Sequence, residues 1–414
     1  MIDKTIATAR GPIKTEVVKT SAGWELRRDG KPFFIKGVGR GVGGFGSLRQ
    51  LAQIGGNAFR EWAVSSETQS QLDEARKFGV AMCVGLWLGR PKHGFNYADP
   101  QVVARELESV KADVLRFKNH PAVLAWGLGN ELELDVQGEA AIPVWQFIQT
   151  VSRMVHEVDP NHPTMIVVAE LGPQSRKVEM INRYCPDVDI VGINSYAGCP
   201  SIPRRYKEGG GTKPYVITEF GPPGQWEWPH RTPWGVLEEL TSTRKVEWYR
   251  KAWHDAMVAP KGVSLGGFAF LWGAKDEATL TWYGMMLPDG SNLEALEVMA
   301  EEWGKPLANR CPRITGLVIE GPASVPAGTV IRAGVEAADP DGDPLAYEWV
   351  FMTDAIEKPH GGPSDAKTIA GAIAKADAPD VEVTLPAPGL YRLFVYIRDG
   401  QGNAAVGNIP LQAK

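Results

Sequence analysis

Two stretches decide the reading of this chain: Trp126-Gly127-Leu128-Gly129-Asn130-Glu131 and Tyr215-Val216-Ile217-Thr218-Glu219-Phe220-Gly221. Each places a glutamate at the end of an apolar run that reads as a buried strand. A lone glutamate at a strand end usually meets solvent or a neighbouring arginine. Two of them brought to one place form an acid and nucleophile pair, which retaining cleavage of a glycosidic bond requires. Their placement in the fold therefore carries the functional reading.

Working outward, short β-branched or aromatic runs alternate with longer polar-apolar periodic runs from Phe33 to Trp272, the signature of repeated βα units. Eight strand segments are expected at Phe33–Val38, Asn57–Trp62, Val80–Trp87, Val123–Glu131, Pro163–Glu170, Asp189–Tyr196, Pro214–Phe220 and Gly266–Trp272. Helices are expected at Ser66–Phe78, Pro100–Asn119, Pro143–Val158, Thr241–Met257 and Asn292–Trp303. Gly79, Pro121 and Asp159-Pro160 punctuate their ends. Eight such units within about 250 residues have the size and order of a (β/α)8 TIM barrel, whose active sites lie at the C-terminal strand ends. Glu131 and Glu219 end strands four and seven, so both can lean over the barrel axis toward one substrate.

Asn119-His120-Pro121-Ala122-Val123-Leu124-Ala125-Trp126-Gly127-Leu128-Gly129-Asn130-Glu131 resembles the acid/base strand of clan A glycoside hydrolases, especially the barrel domain of glycoside hydrolase family 2. Lys213-Pro214-Tyr215-Val216-Ile217-Thr218-Glu219-Phe220-Gly221 resembles the nucleophile strand of the same group, and the likeness extends roughly over residues 24 to 305. The resemblance implies that Glu131 is the general acid/base, Glu219 the nucleophile and Asn130 the donor to the substrate 2-hydroxyl. It further implies that Arg60 lies near the nucleophile, that Tyr196 is the strand-six tyrosine, and that Trp272 is the aromatic floor of the sugar site. The plain alternatives are an ion pair of Arg60 with Glu61 or another carboxylate, and a core position for Tyr196. Family 2 members carry further domains before the barrel, whereas about thirty residues precede strand one here. A barrel with little before it also resembles β-1,3-glucanosyltransferases and clan A endoglucanases, whose open grooves bind chains. The expected activity is accordingly retaining hydrolysis or transfer at a β-linked glucan or oligosaccharide, with no cofactor and no metal.

The 414 residues are 43% hydrophobic and 22% charged, enough for one large core and a small additional domain. A net charge of -5 with no basic block argues against a nucleic-acid partner. No apolar run approaches about 18 residues, so no membrane span is expected. Residues 1–19 lack a hydrophobic signal core, which fits a cytoplasmic protein, or a periplasmic or extracellular one whose signal has been removed. The four cysteines have no zinc-like spacing, and Cys83 reads as core packing. Among 14 tryptophans, Trp226 and Trp228 sit in a proline-flanked loop after strand seven, where exposed rings can stack on a sugar, and Trp87 lies at the end of strand three. Trp248 and Trp253 read as the inner face of a helix.

Gly39-Arg40-Gly41-Val42-Gly43-Gly44 fits the dinucleotide pattern G-x-G-x-x-G after a strand, with Glu61 near the place of an acidic ribose ligand. This supports a dinucleotide-dependent oxidoreductase as a second hypothesis, but it leaves both glutamate strands unexplained. A loop at the barrel mouth is the favoured reading. A catalytically silent carbohydrate-binding barrel is a third hypothesis, natural only if one glutamate were replaced.

Beyond Trp303 the pattern changes. Residues 1–32 are expected to form an N-terminal extension with a barrel-entry hairpin, 33–305 the barrel, 306–313 a linker and 314–414 a small all-β immunoglobulin-like sandwich. The sandwich strands are expected at Val325–Ala337, Leu345–Met352, Val381–Leu385 and Leu390–Asp399, with a loop from His360 to Pro379. Ala338-Asp339-Pro340-Asp341-Gly342-Asp343-Pro344 resembles the turn of polycystic-kidney-disease-type modules. Such a module suggests a spacer, a homodimer contact or a wall for the substrate groove. Its three aspartates read as a hydrogen-bonded turn in preference to a calcium site.

Overall fold

The computed structural model describes residues 4–41, 46–136, 138–172, 174–354 and 365–414. Eight parallel strands close into a barrel in sequence order: Ile35–Gly39, Ala58–Arg60, Ala81–Leu86, Val123–Leu128, Thr164–Val168, Ile190–Asn194, Tyr215–Phe220 and Ser264–Ala269. Strand eight returns to strand one with Gly266 opposite Ile35 and Ala269 opposite Val38. Helices Leu48–Gln53, Thr68–Phe78, Pro100–Phe117, Ile142–Val158, Arg176–Tyr184, Ile202–Glu208 and Ser242–Ala252 follow strands one to seven. Strands with both faces covered read as continuous apolar runs, and all eight fall within or across the segments expected from sequence.

Several boundaries differ, three of them for a clear local reason. Strand eight stops at Ala269 instead of running to Trp272, because Phe270, Leu271 and Trp272 are buried beyond the end of the ladder and an apolar run marks burial, not pairing. The helix expected over Asn292–Trp303 spans only Glu294–Glu302, because Asn292–Leu293 pairs in parallel with Asn403 and Ala404. A similar local change ends the helix expected to Met257: its α-helical part stops at Ala252, and Trp253–Val258 is a π-helical turn.

The N-terminal ends of the strands meet a hairpin formed by Thr15–Thr20 and Gly23–Arg28. Arg28 is buried and donates to Thr15 Oγ1 at 3.1 Å, to Val123 O at 2.7 Å and to Pro121 O at 2.5 Å. The last two carbonyls sit where strand four begins, so one guanidinium ties the hairpin to the barrel floor. All four cysteines are buried and unbridged.

The chain divides into two compact units, Met1–Phe220 with Lys251–Phe270, and Gly221–Arg250 with Leu271–Lys414. The first holds the whole barrel. In the second, Asn292–Leu293, Asn403–Ala413, Gly389–Arg398 and Ala346–Thr353 form one sheet, with Ser324–Val325 also paired to Asn403–Ala413. Arg313–Ile319, Val330–Ala338 and Asp380–Thr384 form another. Both sheets contribute to one apolar core that includes Ile331, Val335, Trp349, Phe351, Val383 and Leu393, an arrangement compatible with a β-sandwich. The single strand expected over Val325–Ala337 is interrupted by a turn in which Thr329 N–H donates to Pro326 O. Part of the loop expected from His360, residues 360–364, lies outside the described residues. Asp339 Oδ1 accepts from the backbone N–H groups of Asp341 and Asp343, the expected hydrogen-bonded turn. Asp341 pairs with Arg310, while Asp339, Asp343 and Asp399 bring carboxylate oxygens within 4.8 Å of one another.

Removing the Arg28 side chain leaves two buried carbonyls without their donor. Arg28→Ala should lower stability by about 3 kcal/mol, on the scale of lost hydrogen bonds to a buried charge. Urea unfolding followed by circular dichroism should show a lower midpoint at unchanged slope; an unchanged midpoint would mean that the hairpin does not brace the floor.

Candidate active site

The C-terminal strand ends of the barrel gather a connected set of polar side chains. Arg60 ends strand two, Asn130 and Glu131 follow strand four, Asn194 ends strand six with Tyr196 just beyond, and Thr218 and Glu219 lie in strand seven. Glu219 is 7% exposed and Arg60 1% exposed. Glu219 Oε1 accepts from Arg60 Nη1 at 3.0 Å and Trp62 Nε1 at 2.7 Å, while Oε2 accepts from Tyr196 Oη at 2.9 Å. Arg60 Nη2 donates to Asn130 Oδ1 at 2.7 Å. Asn194 Nδ2 donates to that same oxygen at 3.2 Å and to Glu131 Oε1 at 2.8 Å, while its own Oδ1 accepts from Thr218 Oγ1 at 2.7 Å. Hydrogen bonds thus run without a break from one glutamate to the other.

Local backbone aims these groups. Glu131 has φ 54°, in the left-handed region that non-glycine residues seldom occupy, and it is held there by its N–H donating to Val167 O at 3.0 Å. Gly129, with φ 67°, supplies the preceding turn and donates to Leu86 O at 2.9 Å. Strand seven is tied to the segment after strand six by Ser195 N–H donating to Glu219 O at 2.9 Å.

The two carboxyls have different surroundings. Burial, then the charge of Glu219, push the Glu131 carboxyl up to about 7; the Asn194 hydrogen bond opposes this. Lys177, whose charge opposes the rise, is engaged by Glu133 at 2.8 Å. Arg90 pairs with Asp135 at 2.7 Å and Arg205 with Glu170 at 2.5 Å. Phe270 meets both Trp62 and Tyr196 edge-on, with centroids 5.8 Å apart in each case. A half-buried acid that holds its proton near neutrality beside an ion-paired carboxylate can donate a proton while its partner attacks an electrophile.

Of the residues expected from sequence, Glu131, Glu219, Asn130, Arg60 and Tyr196 come together. Arg60 pairs with Glu219 and not with Glu61. Glu61 is buried on the far side of strand two, facing Gln71 and Arg40, with its carboxyl pushed up to about 7 by burial. Trp87 is 44% exposed directly after strand three. The other three tryptophans belong to the second compact unit. Trp272 is 1% exposed with its indole nitrogen buried and without a hydrogen-bond partner among the described residues, Trp226 is 63% exposed, and Trp228 donates to Glu238 O at 2.7 Å within its own loop. The expected exposure therefore holds for Trp226, whereas Trp228 is partly buried by local bonding. Val42, Gly43 and Gly44 of the glycine pattern lie outside the described residues.

Trp62, Asn194 and Thr218 were not anticipated. The signal was available for two of them: side chains two apart on a strand share a face. Trp62 stands two residues after Arg60, and Asn194 two before Tyr196.

Residues 71–249 match the family description "Glycosyl hydrolases family 2, TIM barrel domain". Human β-glucuronidase is 28% identical over 185 residues, covering 41% of this chain and 26% of that protein. The β-galactosidase BgaC of Bifidobacterium adolescentis is 28% identical over 146 residues, covering 33% of this chain and 12% of that protein. Among solved structures, a Bifidobacterium dentium β-glucuronidase superposes with a TM-score of 0.53 at 21% identity, over 70% of this chain and 49% of its own. A Ruminococcus gnavus β-glucuronidase gives 0.55 at 16% identity, over 70% and 52%. The match spans about a quarter of the length of the curated β-glucuronidases.

Glu219→Gln removes the charge that contributes to holding the Glu131 proton. The Glu131 pKa should fall below about 7 yet stay above the ordinary carboxyl range, because burial is the larger cause. Carboxyl carbon NMR titration measures it; an unchanged or higher value would separate the two sites electrostatically.

Proposed function

Starting from a clan A barrel of the glycoside hydrolase family 2 type, we propose that this chain is a retaining β-glycoside hydrolase working by double displacement. The observation that carries the reading is the contrast within one hydrogen-bonded group: Glu219 is bound by three donors, one of them Arg60, while Glu131 is half-buried with its carboxyl pushed up to about 7, chiefly by desolvation. Glu219 is the nucleophile and Glu131 the general acid/base. Asn130, oriented by Arg60 and Asn194 through its Oδ1, keeps its amide N–H groups for the sugar 2-hydroxyl.

In the first step a Glu219 oxygen bonds to the anomeric carbon as the glycosidic C–O bond breaks, and the proton of Glu131 passes to the leaving oxygen. In the second, water or a sugar hydroxyl attacks the anomeric carbon. Glu131 takes its proton, and the bond to Glu219 returns its electrons to the carboxylate. Because the first step needs protonated Glu131, turnover of substrates with poor leaving groups should decline as pH rises through about 7.

The substrate we propose is a β-linked glucan or oligosaccharide, with exposed Trp87, directly after strand three, as a candidate stacking surface. The sequence relatives bear the names β-glucuronidase and β-galactosidase, so both glycosides belong in the substrate panel. For the C-terminal sheets we propose an immunoglobulin-like module.

Proton NMR of fresh product should show the β-anomer first. Glu219→Gly should lose at least about a hundredfold in kcat on the natural glycoside, yet azide should rescue an activated aryl glycoside with inverted product. Glu131→Ala should still form the glycosyl-enzyme from an activated substrate and then stall. Rescue of Glu219→Gly with retained configuration would contradict the assignment of the nucleophile.

A further inference from the structure

We propose that Trp62 is a positioning residue that assigns different tasks to the two oxygens of Glu219, and that Gly39 and Gly85 exist to seat it. The inference rests on Glu219 being the nucleophile.

The two oxygens are not equivalent. Oε1 accepts two N–H donors, Arg60 Nη1 at 3.0 Å and Trp62 Nε1 at 2.7 Å, whereas among the described residues Oε2 accepts from the Tyr196 hydroxyl alone, at 2.9 Å. The less encumbered Oε2 is the one free to bond to the anomeric carbon, leaving Oε1 as the carbonyl oxygen of the glycosyl-enzyme ester. An ester carbonyl is a weaker acceptor than a carboxylate oxygen. The Trp62 hydrogen bond therefore weakens as the ester forms and strengthens as the Oε2–C1 bond breaks and its electron pair returns to Glu219. A donor with that history favours the second step, in which Glu219 leaves, over the first.

Trp62 is held for this by its surroundings. A Cβ added at Gly39, on strand one, would lie 2.7 Å from Trp62 Cη2; one added at Gly85, on strand three, would lie 2.3 Å from Glu61 O and 2.4 Å from Trp62 C and O. Side chains at these two places would meet the indole edge and the backbone that carries it. The strands flanking strand two thus leave room for the indole edge at Gly39 and for the backbone that carries it at Gly85. Phe270 meets the ring edge-on at 5.8 Å, and the Arg60 guanidinium lies 5.0 Å from its centroid. In this setting the indole N–H is directed at Oε1, 2.7 Å away.

The test uses the full chain and a dinitrophenyl β-glycoside of the sugar preferred in the substrate panel, whose good leaving group makes the second step limiting. Trp62→Phe keeps a ring and loses the N–H. It should lower kcat by roughly tenfold or more, the scale of one hydrogen bond to a charged group. KM should fall in parallel, kcat/KM should change little, and a burst of dinitrophenol should show the glycosyl-enzyme accumulating. Gly85→Ala, checked for folding by thermal melting, should shift kcat and KM in the same direction. A folded Trp62→Phe with unchanged kcat, or with KM raised as for a lost substrate contact, would overturn the inference. Wild-type protein labelled at Glu219 by a 2-deoxy-2-fluoro glycoside keeps the glycosidase reading intact in that event. Absence of both labelling and turnover with every glycoside would remove that reading and the role of Trp62 with it.

Discussion

A guanidinium cannot shed its proton to suit an apolar site, so the buried Arg60 must find acceptors or destabilise the barrel. It finds three: Glu219 Oε1, Thr218 O and Asn130 Oδ1. These come from strand seven and from the turn after strand four, on different sides of the closed ring. One charge thereby sets the positions of the residues to either side of it, and the remaining members hang from those anchors. Asn194 reaches Glu131 because it also bonds Asn130, and Thr218 in turn fixes the Asn194 amide.

The same placement of cations separates the two glutamates chemically. Glu219 shares an ion pair with Arg60, whereas the lysine whose charge reaches Glu131 is spent on Glu133. Burial without a cation of its own raises the Glu131 carboxyl, and the neighbouring negative charge adds to the rise. The proposed acid and nucleophile roles thus rest on where the barrel places its positive groups, since the two side chains are identical.

The second compact unit shows a comparable reliance on buried charge. Lys245 donates to Glu239 at 2.5 Å and to Thr281 O at 2.6 Å, and Asn408 Nδ2 reaches Glu239 at 2.7 Å. Arg392 joins Asp354, Asn408 and Leu237 O. Residues from 221–250 are therefore bonded to the last strand of the chain. This is why the compact units do not divide at the linker expected over 306–313: a sequence boundary follows composition, while a structural one follows where polar groups find partners.

The amino-acid sequence by itself determined the eight-strand order, the second β-rich region and the positions of Glu131 and Glu219 at strand ends. Strand burial leaves continuous apolar runs, and glutamates interrupting such runs are visible one residue at a time. It also located Asn130, Arg60 and Tyr196 through resemblance. Only the tertiary structure decided that Arg60 pairs across the barrel with Glu219 and not with its neighbour Glu61, that Trp62 and Asn194 complete the group, and that Trp272 lies past the end of strand eight. Each of these depends on which strand ends meet after the ring closes. Residues such as Arg60 and Glu219, 159 positions apart in the chain, acquire their relation from barrel geometry, and no local pattern encodes the direction in which a buried charge finds its partner.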